Sequence, residues 1–98
     1  MLDYEFHPEA RRELAEELKY LTQIDQTLTS GFGLEIEAAI TLIRTQPELF
    51  RLRKNHRRIN LQRFSFYLPF NVIDDTVFIY AIAHSARRPG YWKKRLSS

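Results

Sequence analysis

The run TVFIYAIA, residues 76–83, restricts the fold of this chain more than any other feature of its sequence. It is rich in β-branched and aromatic side chains, which favour the pleated backbone of a strand. A half-exposed strand alternates apolar and polar residues, whereas this run is apolar on both faces, which is typical of a strand inside a sheet. Residues 76–83 therefore predict an interior strand, with which other strands must pair.

Three other segments alternate with the period of two that a strand requires. They are residues 1–6, RRINLQRF at 57–64 and FSFYLPFNVI at 64–73. Pro69 has no N–H to donate to a sheet, so we expect a bulge or a sheet edge at that residue. Asp74 and Asp75 predict a tight turn before the interior strand. Leu2, Tyr4 and Phe6 lie on one side of the first segment. The predicted core-facing side chains of the other two are Ile59, Leu61, Phe64, Phe66, Leu68, Phe70 and Val72.

A first helix is predicted to follow residues 1–6. His7 is its predicted N-cap, although Ser, Thr, Asp and Asn are better caps. Pro8 suits the first helical position, because an N–H there has no partner in any case. The helix should end near residues 24–26. Its buried stripe, spaced at the helical repeat, consists of Ala10, Leu14, Leu18 and Leu21.

The second predicted helix has a clear end and an open start. Gln46 precedes Pro47, and the residue before a proline avoids the helical region, so the helix should end there. It should begin at Thr27 or Ser30 or, because glycines weaken its first turn, anywhere in 28–34. Its apolar face consists of Phe32, Ile36, Ala39, Ile40 and Ile43, widened by Leu34, Ala38 and Leu42.

The order β-α-α-β-β-β indicates an α+β fold, in which a helical hairpin packs on a small, mainly antiparallel sheet. With 98 residues, the chain is expected to form one domain, residues 1–98. The side chains predicted to join the hairpin to the sheet are Leu14, Leu18, Ile36, Ile40 and Ile43 on the helices and Phe66, Leu68, Ile79 and Ala81 on the strands.

Composition excludes several classes of protein. The chain has no cysteine, so it has neither disulfides nor thiolate metal sites. Its histidines, His7, His56 and His84, are far apart in the sequence, so we expect no metal site and no cofactor. The first residues lack the pattern of a signal peptide, and no apolar run approaches the roughly 20 residues of a membrane span. We therefore expect a cytoplasmic protein without a membrane partner.

The charges are divided between the two halves of the chain. Residues 1–50 contain four Lys or Arg and ten Asp or Glu, a formal charge of −6, and residues 51–98 contain eleven and two, a formal charge of +9. Such asymmetry suggests a face for an anionic partner, such as nucleic acid or an acidic peptide. The alternative is that an acidic helical half neutralises a basic sheet half within one body.

The segment HSARRPGYWKKRL, residues 84–96, combines five cations with two aromatic rings and an imidazole. Arg87 and Arg88 are expected to contact an anionic partner, because clustered cations repel one another unless something binds them. His84 could act in proton transfer or simply hydrogen-bond the backbone. The ring of Trp92 could cover the sheet edge, and residues 93–95 could be a solvated tail.

Four segments of this chain together resemble the RelE/ParE toxin superfamily. They are FHPEARREL, GFGLEIEAAITLIRTQPELFRL, RRINLQRFSFYLPFNV and VFIYAIAHSARRPGYWKKR, and they cover nearly the whole chain. The members are toxins of type II toxin–antitoxin modules, also described as plasmid stabilisation proteins. The resemblance implies a cognate antitoxin as partner, with a dimer or a higher toxin–antitoxin complex as a possible assembly. Pro69 departs from the usual β-forming run of the family.

One branch of the superfamily, the RelE type, cleaves mRNA on the ribosome without a metal ion. This chemistry needs a base for the 2′-hydroxyl, an acid for the leaving oxygen and cations for the phosphate. If the chain is such a nuclease, the resemblance by residue type and region makes the candidate catalytic residues His84, Arg87, Tyr91 and Arg63.

The other branch, the ParE type, binds DNA gyrase and lacks the nuclease residues. We favour this branch, because no compact acid–base set stands out in the sequence. RNA cleavage remains an alternative, as does a degenerate, non-toxic homologue. The residues expected to bind the target or the antitoxin are Arg58, Arg87, Arg88, Trp92, Lys93, Lys94 and Arg95.

Overall fold

The computed structural model describes residues 1–97, and it confirms the α+β architecture. A helical hairpin packs on a five-stranded sheet. The last predicted strand is divided into two short strands, which adds one strand to the expected order. The elements are β1 (Asp3–Phe6), α1 (Pro8–Ile24), α2 (Gln26–Thr45), a 3₁₀ turn (Pro47–Leu49), β2 (Arg57–Asn60), β3 (Phe66–Ile73), β4 (Thr76–Ile79), β5 (Ala83–His84) and a C-terminal 3₁₀ segment (Lys93–Ser97).

The sheet has the order β1-β4-β3-β2, and β5 pairs with β3 beyond the end of β4. β1 runs parallel to β4, whereas the other pairs are antiparallel. β4 is therefore an interior strand, as its apolar faces predict, and β2 is an edge strand. The turn between β3 and β4 has positive φ angles at Asp74 (50°) and Asp75 (61°), as a two-residue hairpin turn requires.

Both helices begin at side-chain caps. His7 is the N-cap of α1, as predicted, and its Nδ1 accepts a hydrogen bond from the Glu9 N–H at 3.0 Å. Asp25 separates the helices and caps α2, accepting from the Thr27 N–H at 2.9 Å. The predicted start around Thr27 is therefore correct to within one residue, whereas the alternative start in 28–34 is too late. A carboxylate cap offsets the weakness of glycines in the following turns.

A bulge lies opposite Pro69, on the neighbouring strand. Phe70 pairs with Ile79 and Tyr67 pairs with Ala83, so two residues of β3, 68 and 69, face three residues, 80–82, of the neighbouring segment. The extra residue interrupts the alternation of side chains. Ile82, rather than the predicted Ala81, consequently faces the helices, and that part of the packing prediction was wrong.

The sheet has an apolar cluster on each face. The helices cover one cluster, which includes Phe32, Ile43 and Leu68. Residues of the C-terminal segment cover the other, which consists of Tyr67, Tyr80, Ala81, Ala83 and Trp92. Some side chains of the predicted apolar faces are instead exposed to solvent, with relative exposures given in parentheses: Tyr4 (43%), Leu34 (68%), Leu42 (37%) and Val72 (40%), together with Ala38.

Candidate functional site

A buried carboxylate, Glu13 on α1, anchors the C-terminal segment. It accepts hydrogen bonds from the Tyr91 hydroxyl (2.7 Å), from both terminal nitrogens of Arg95 (3.0 Å each) and from the Ile82 N–H (3.1 Å). Ile82 lies in the bulge, beyond the last residue of β4 that pairs with β1. Glu13 therefore satisfies a strand amide that has no strand to bind.

Sequence reasoning missed Glu13. It lies in RRELAEE, residues 11–17, a run whose charges are typical of a solvent-facing helix surface. One signal was present: Glu13 is three residues after Ala10 and eight before Leu21, so it lies on the buried side of α1.

Two predicted site residues, Tyr91 and Arg95, are held by this carboxylate. The Arg95 side chain is only 14% exposed and also donates to the Tyr80 carbonyl oxygen at 3.0 Å. Burial, followed by the hydrogen bond to Glu13, raises the pKa of Tyr91 well above its ordinary value. The phenol is therefore a hydrogen-bond donor to Glu13 at neutral pH.

Arg87 covers the ring of Tyr91. Its guanidinium carbon lies 3.7 Å from the ring centroid, and Nη1 lies 3.5 Å from Glu13 Oε2. The Arg87 side chain is 55% exposed, so it also presents charge to solvent. The arrangement brings three predicted residues together, Arg87, Tyr91 and Arg95, but around an acidic group of the protein itself.

His84 lies at the end of β5 with its Nδ1 already bound. The Ala86 N–H donates to Nδ1 at 2.9 Å, and the ring packs edge-on against Phe66 with centroids 4.8 Å apart. A backbone N–H can only donate, so the neutral imidazole carries its proton on Nε2. The nitrogen that faces away from this bond is then a donor, which is the wrong form for a general base.

The cavity beside His84 is lined by three carboxylates and one guanidinium. It has a volume of about 250 Å³, and burial raises the pKa of one of its carboxyls, Glu17. Glu13 is paired with Arg87 and Arg95, and Glu16 with Arg12, so the cavity has no excess of positive charge to hold a phosphodiester. The lining residues are Glu13, Glu16, Glu17, Tyr20, Phe66, Ile82, His84 and Arg87.

A second cavity, on the sheet face that the C-terminal segment covers, is basic. We call it the basic cleft, and its volume is about 200 Å³. Burial, followed by the three cations of the cleft, lowers the pKa of His56 below its ordinary value. The lining residues are Arg53, His56, Arg58, Tyr67, Pro89, Gly90, Trp92 and Lys93.

Trp92 packs inside the protein. It is 2% exposed, its indole N–H donates to the Tyr67 hydroxyl at 2.9 Å, and its ring lies edge-on to His56. Trp92 therefore packs on the sheet, in line with the expectation that its ring covers sheet surface, and in this conformation it offers little surface to a partner. Its indole lines the basic cleft together with the three cations of the cleft.

The other predicted site residues lie apart from these groups. Arg88 and Lys94 are exposed. Arg63 is also exposed, in the loop between β2 and β3, and its backbone N–H donates to Glu35 at 3.0 Å. In the part of the chain that the structure describes, no hydrogen bond or ion pair joins Arg63 to His84, Arg87 or Tyr91. The four candidate catalytic residues therefore do not form one group.

A third cavity is the α2–β2 groove, between α2 and the edge strand β2. Its volume is about 410 Å³, and its apolar lining comes from both elements. Glu35 closes one end by accepting the N–H groups of Gln62 and Arg63. The lining residues are Glu35, Ala38, Ala39, Leu42, Phe50, Arg58, Ile59, Asn60, Leu61 and Gln62.

Residues 1–97 contain no cluster of three or more His, Asp or Glu side chains that could hold a metal ion. Within the same residues, neither helix combines the length and the apolar character that crossing a membrane requires.

The fold is that of bacterial toxins. A chain from the chromosomal ParDE toxin–antitoxin system of P. aeruginosa superposes with a TM-score of 0.71 at 17% identity, over 86% of this chain and 96% of that one. The isolated E. coli RelE toxin superposes with a TM-score of 0.57 at 19% identity, over 96% and 95% of the two chains. A comparison with curated proteins finds no match.

The family model for the ParE toxin of the type II toxin–antitoxin system parDE matches residues 4–89. The chain therefore belongs to the ParE toxin family, which confirms the resemblance to the RelE/ParE superfamily. This match is independent of the site geometry, and the target of the toxin is a separate question.

Proposed function

We propose that this toxin acts by binding an essential target, such as DNA gyrase, and not by cleaving RNA. The observation that carries the proposal is that Tyr91 and Arg95 both donate hydrogen bonds to Glu13. Both side chains are used inside the protein, and the phenol proton is donated to a carboxylate. A cytoplasmic location is part of the proposal, because gyrase and ribosomes are cytoplasmic.

RNA cleavage would need an acid, a base and cations around one phosphate. Here the free nitrogen of His84 is a donor, and its cavity is lined by carboxylates. Bases of a single-stranded RNA also need open aromatic faces for stacking. Guanidiniums cover one face of Tyr67 at 3.8 Å and one face of Tyr91 at 3.7 Å. The chemistry therefore favours binding.

The test is inducible expression without an antitoxin, combined with two assays. We expect growth arrest, intact transcripts on ribosomes, and inhibition of DNA supercoiling by the purified protein. Tyr91→Phe and His84→Gln should keep this activity if circular dichroism shows that they fold. Ribosome-dependent transcript cleavage that either variant abolishes would instead establish the nuclease alternative. A folded protein without any of these effects would indicate the degenerate homologue.

We further propose that a cognate antitoxin neutralises the toxin by docking in the α2–β2 groove. Leu42 and Ala38 present apolar surface there, and β2 offers an unpaired strand edge. An extended segment could pair with that edge while its apolar side chains enter the groove. The +9 charge of residues 51–98 favours an acidic segment.

The groove is tested by charge insertion. Ala38→Glu and Leu42→Glu should weaken the complex with the cognate antitoxin, measured by calorimetry, because a carboxylate would enter apolar surface. Ile24→Glu is the matched control: Ile24 is 57% exposed and lies at the other end of the hairpin. Equal effects of all three variants would place the antitoxin elsewhere.

A further inference from the structure

We propose that the basic cleft is a binding site for one oxyanion of the phosphate class, either free phosphate or a phosphate of a nucleic-acid backbone. Its three cations, Arg53, Arg58 and Lys93, make no ion pair with any carboxylate of residues 1–97. By contrast, Arg87 and Arg95 are both paired with Glu13. Like charges held around one cavity repel each other unless an anion lies between them.

The position of Lys93 depends on a glycine. Gly90 has a φ of 75°, and a Cβ at this residue would lie 3.0 Å from Cδ and Cε of Lys93. The absence of that Cβ lets the aliphatic part of Lys93 lie against the backbone of the turn. The Lys93 N–H also donates to the Gly90 carbonyl oxygen at 3.0 Å. The turn therefore directs the lysine along the wall of the cleft.

Arg58 is oriented by two neighbours. Its guanidinium carbon lies 3.8 Å above the centroid of the Tyr67 ring. Nε and Nη2 donate to Asn60 Oδ1 at 3.2 and 3.1 Å, which leaves Nη1 without a protein acceptor among the described residues. A stacked, hydrogen-bonded guanidinium loses less conformational freedom when it binds an anion, so the site is partly preorganised.

The size of the cleft limits what it can hold. Its volume of about 200 Å³ is smaller than the roughly 300–1,000 Å³ of pockets for drug-sized ligands, so a tetrahedral anion fits better than a whole nucleotide. The rings that line it are already in use, since Trp92 packs on His56 and Arg58 covers Tyr67. A base therefore has no open ring to stack on, and the recognition is of charge.

His56 serves as an internal reporter. It is 6% exposed, its Nδ1 contacts Asn55 Oδ1 at 3.1 Å, and the cations of the cleft surround it. An anion in the cleft should offset their charge and raise the pKa of His56. His7 caps α1 and His84 lies on β5, both outside the cleft, so they serve as controls in the same spectra.

The experiment is an NMR titration of the full chain with inorganic phosphate near neutral pH and low ionic strength. We expect saturable shifts of the His56 ring signals, and a dissociation constant about tenfold larger in Arg53→Gln and in Lys93→Gln. Lys94→Gln is the matched control, because Lys94 adjoins Lys93 but does not line the cleft. A repeat with sulfate, whose charge is constant with pH, should raise the pKa of His56.

Comparison of ligands then separates the sources of the anion. A short DNA duplex that competes with phosphate and binds more tightly would identify a backbone phosphate, and a duplex that does not compete would identify the free ion. Linear, non-saturating shifts, or equal losses in Lys94→Gln and Lys93→Gln, would overturn the proposal. So would tighter binding of a glutamate-rich peptide than of phosphate. These outcomes are independent of the gyrase proposal, which the supercoiling assay tests separately.

Discussion

At the scale of single residues, the C-terminal segment is organised by one carboxylate. Glu13 is 7% exposed at its side chain and compensates two guanidiniums, one phenol and one backbone amide. A buried charge is tolerated only when it is paired and hydrogen-bonded. Here both carboxylate oxygens of Glu13 accept hydrogen bonds. Removing Glu13 would therefore leave several polar groups without partners at once.

Glu13→Gln should lower the free energy of unfolding by about 3–5 kcal/mol, because it leaves the buried guanidinium of Arg95 without its counter-charge. Urea denaturation at neutral pH measures the loss. The control is Glu16→Gln, which removes an exposed pair with Arg12 and should change the free energy of unfolding by less than about 1 kcal/mol. Similar values for the two variants would contradict the role assigned to Glu13.

The lowered pKa of His56 predicts that the free energy of unfolding depends on pH. Burial lowers its pKa below the ordinary 6.5, so the folded state binds this proton less readily than the unfolded state. The contribution of His56 is fully present above pH 6.5 and is lost as the pH falls through the folded-state pKa, with a slope of at most about 1.4 kcal/mol per pH unit. In His56→Phe, urea denaturation across this range should show a shallower decline than in the parent protein. Parallel declines would exclude His56 as the source.

At the scale of elements, glycine has opposite roles in a helix and in a turn. Gly33 lies inside α2, and a Cβ there would meet no atom within 4 Å. Gly90 has a φ of 75° in the turn before the C-terminal 3₁₀ segment, where its missing Cβ makes room for Lys93. One position uses none of the special freedom of glycine, and the other depends on it.

Gly33→Ala should raise the free energy of unfolding by about 0.5–1 kcal/mol, because alanine loses less backbone entropy in a helix. Gly90→Ala should lower it by about 1 kcal/mol or more, since a positive φ is unfavourable for a residue with a Cβ. Thermal denaturation of both variants measures the two signs. A stabilising Gly90→Ala would contradict the conformation of this turn.

At the scale of the whole molecule, the acidic helices form ion pairs with the basic half of the chain through Glu13. These ion pairs neutralise only some of the basic side chains. Of the cations between residues 84 and 96, Arg87 and Arg95 pair with Glu13, whereas Arg88, Lys93 and Lys94 form no ion pair in residues 1–97. Internal neutralisation therefore accounts for Arg87 and Arg95, whereas binding of an anionic partner stays a prediction for Arg88, Lys93 and Lys94. The unpaired cations remain available to steer an anionic partner.

Arg88→Glu should slow association with the cognate antitoxin and leave dissociation nearly unchanged, because an exposed charge acts mainly on the on-rate. The effect should shrink as salt rises, since screening shortens the range of the field. Stopped-flow or surface binding at two salt concentrations measures both rates. The control is Arg11→Glu, which reverses the charge of an exposed side chain on α1. An on-rate insensitive to salt and to Arg88→Glu would exclude electrostatic steering.

Much of the fold could be predicted from the sequence, because local rules decide those parts. Pro8 and Pro47 bound the helical region, and the apolar period separates helices from strands. The α2 start could be predicted only as a range, because the glycines indicate a later start than the one that the cap at Asp25 fixes. The candidate site was predicted less well: Glu13 was missed, and Trp92, expected either to cover the sheet edge or to bind a partner, is buried.

The sequence by itself determined the element order up to the interior strand that begins at residue 76, the hairpin turn at Asp74 and Asp75, and the charge asymmetry, because each depends on neighbouring residues or on composition. Only the tertiary structure decided which charges are used inside the protein. The bulge opposite Pro69 turns Ile82 toward the helices and frees its N–H for Glu13, which lies 69 residues away in the chain. Contacts over such separations follow from sheet register and packing, which no local pattern encodes.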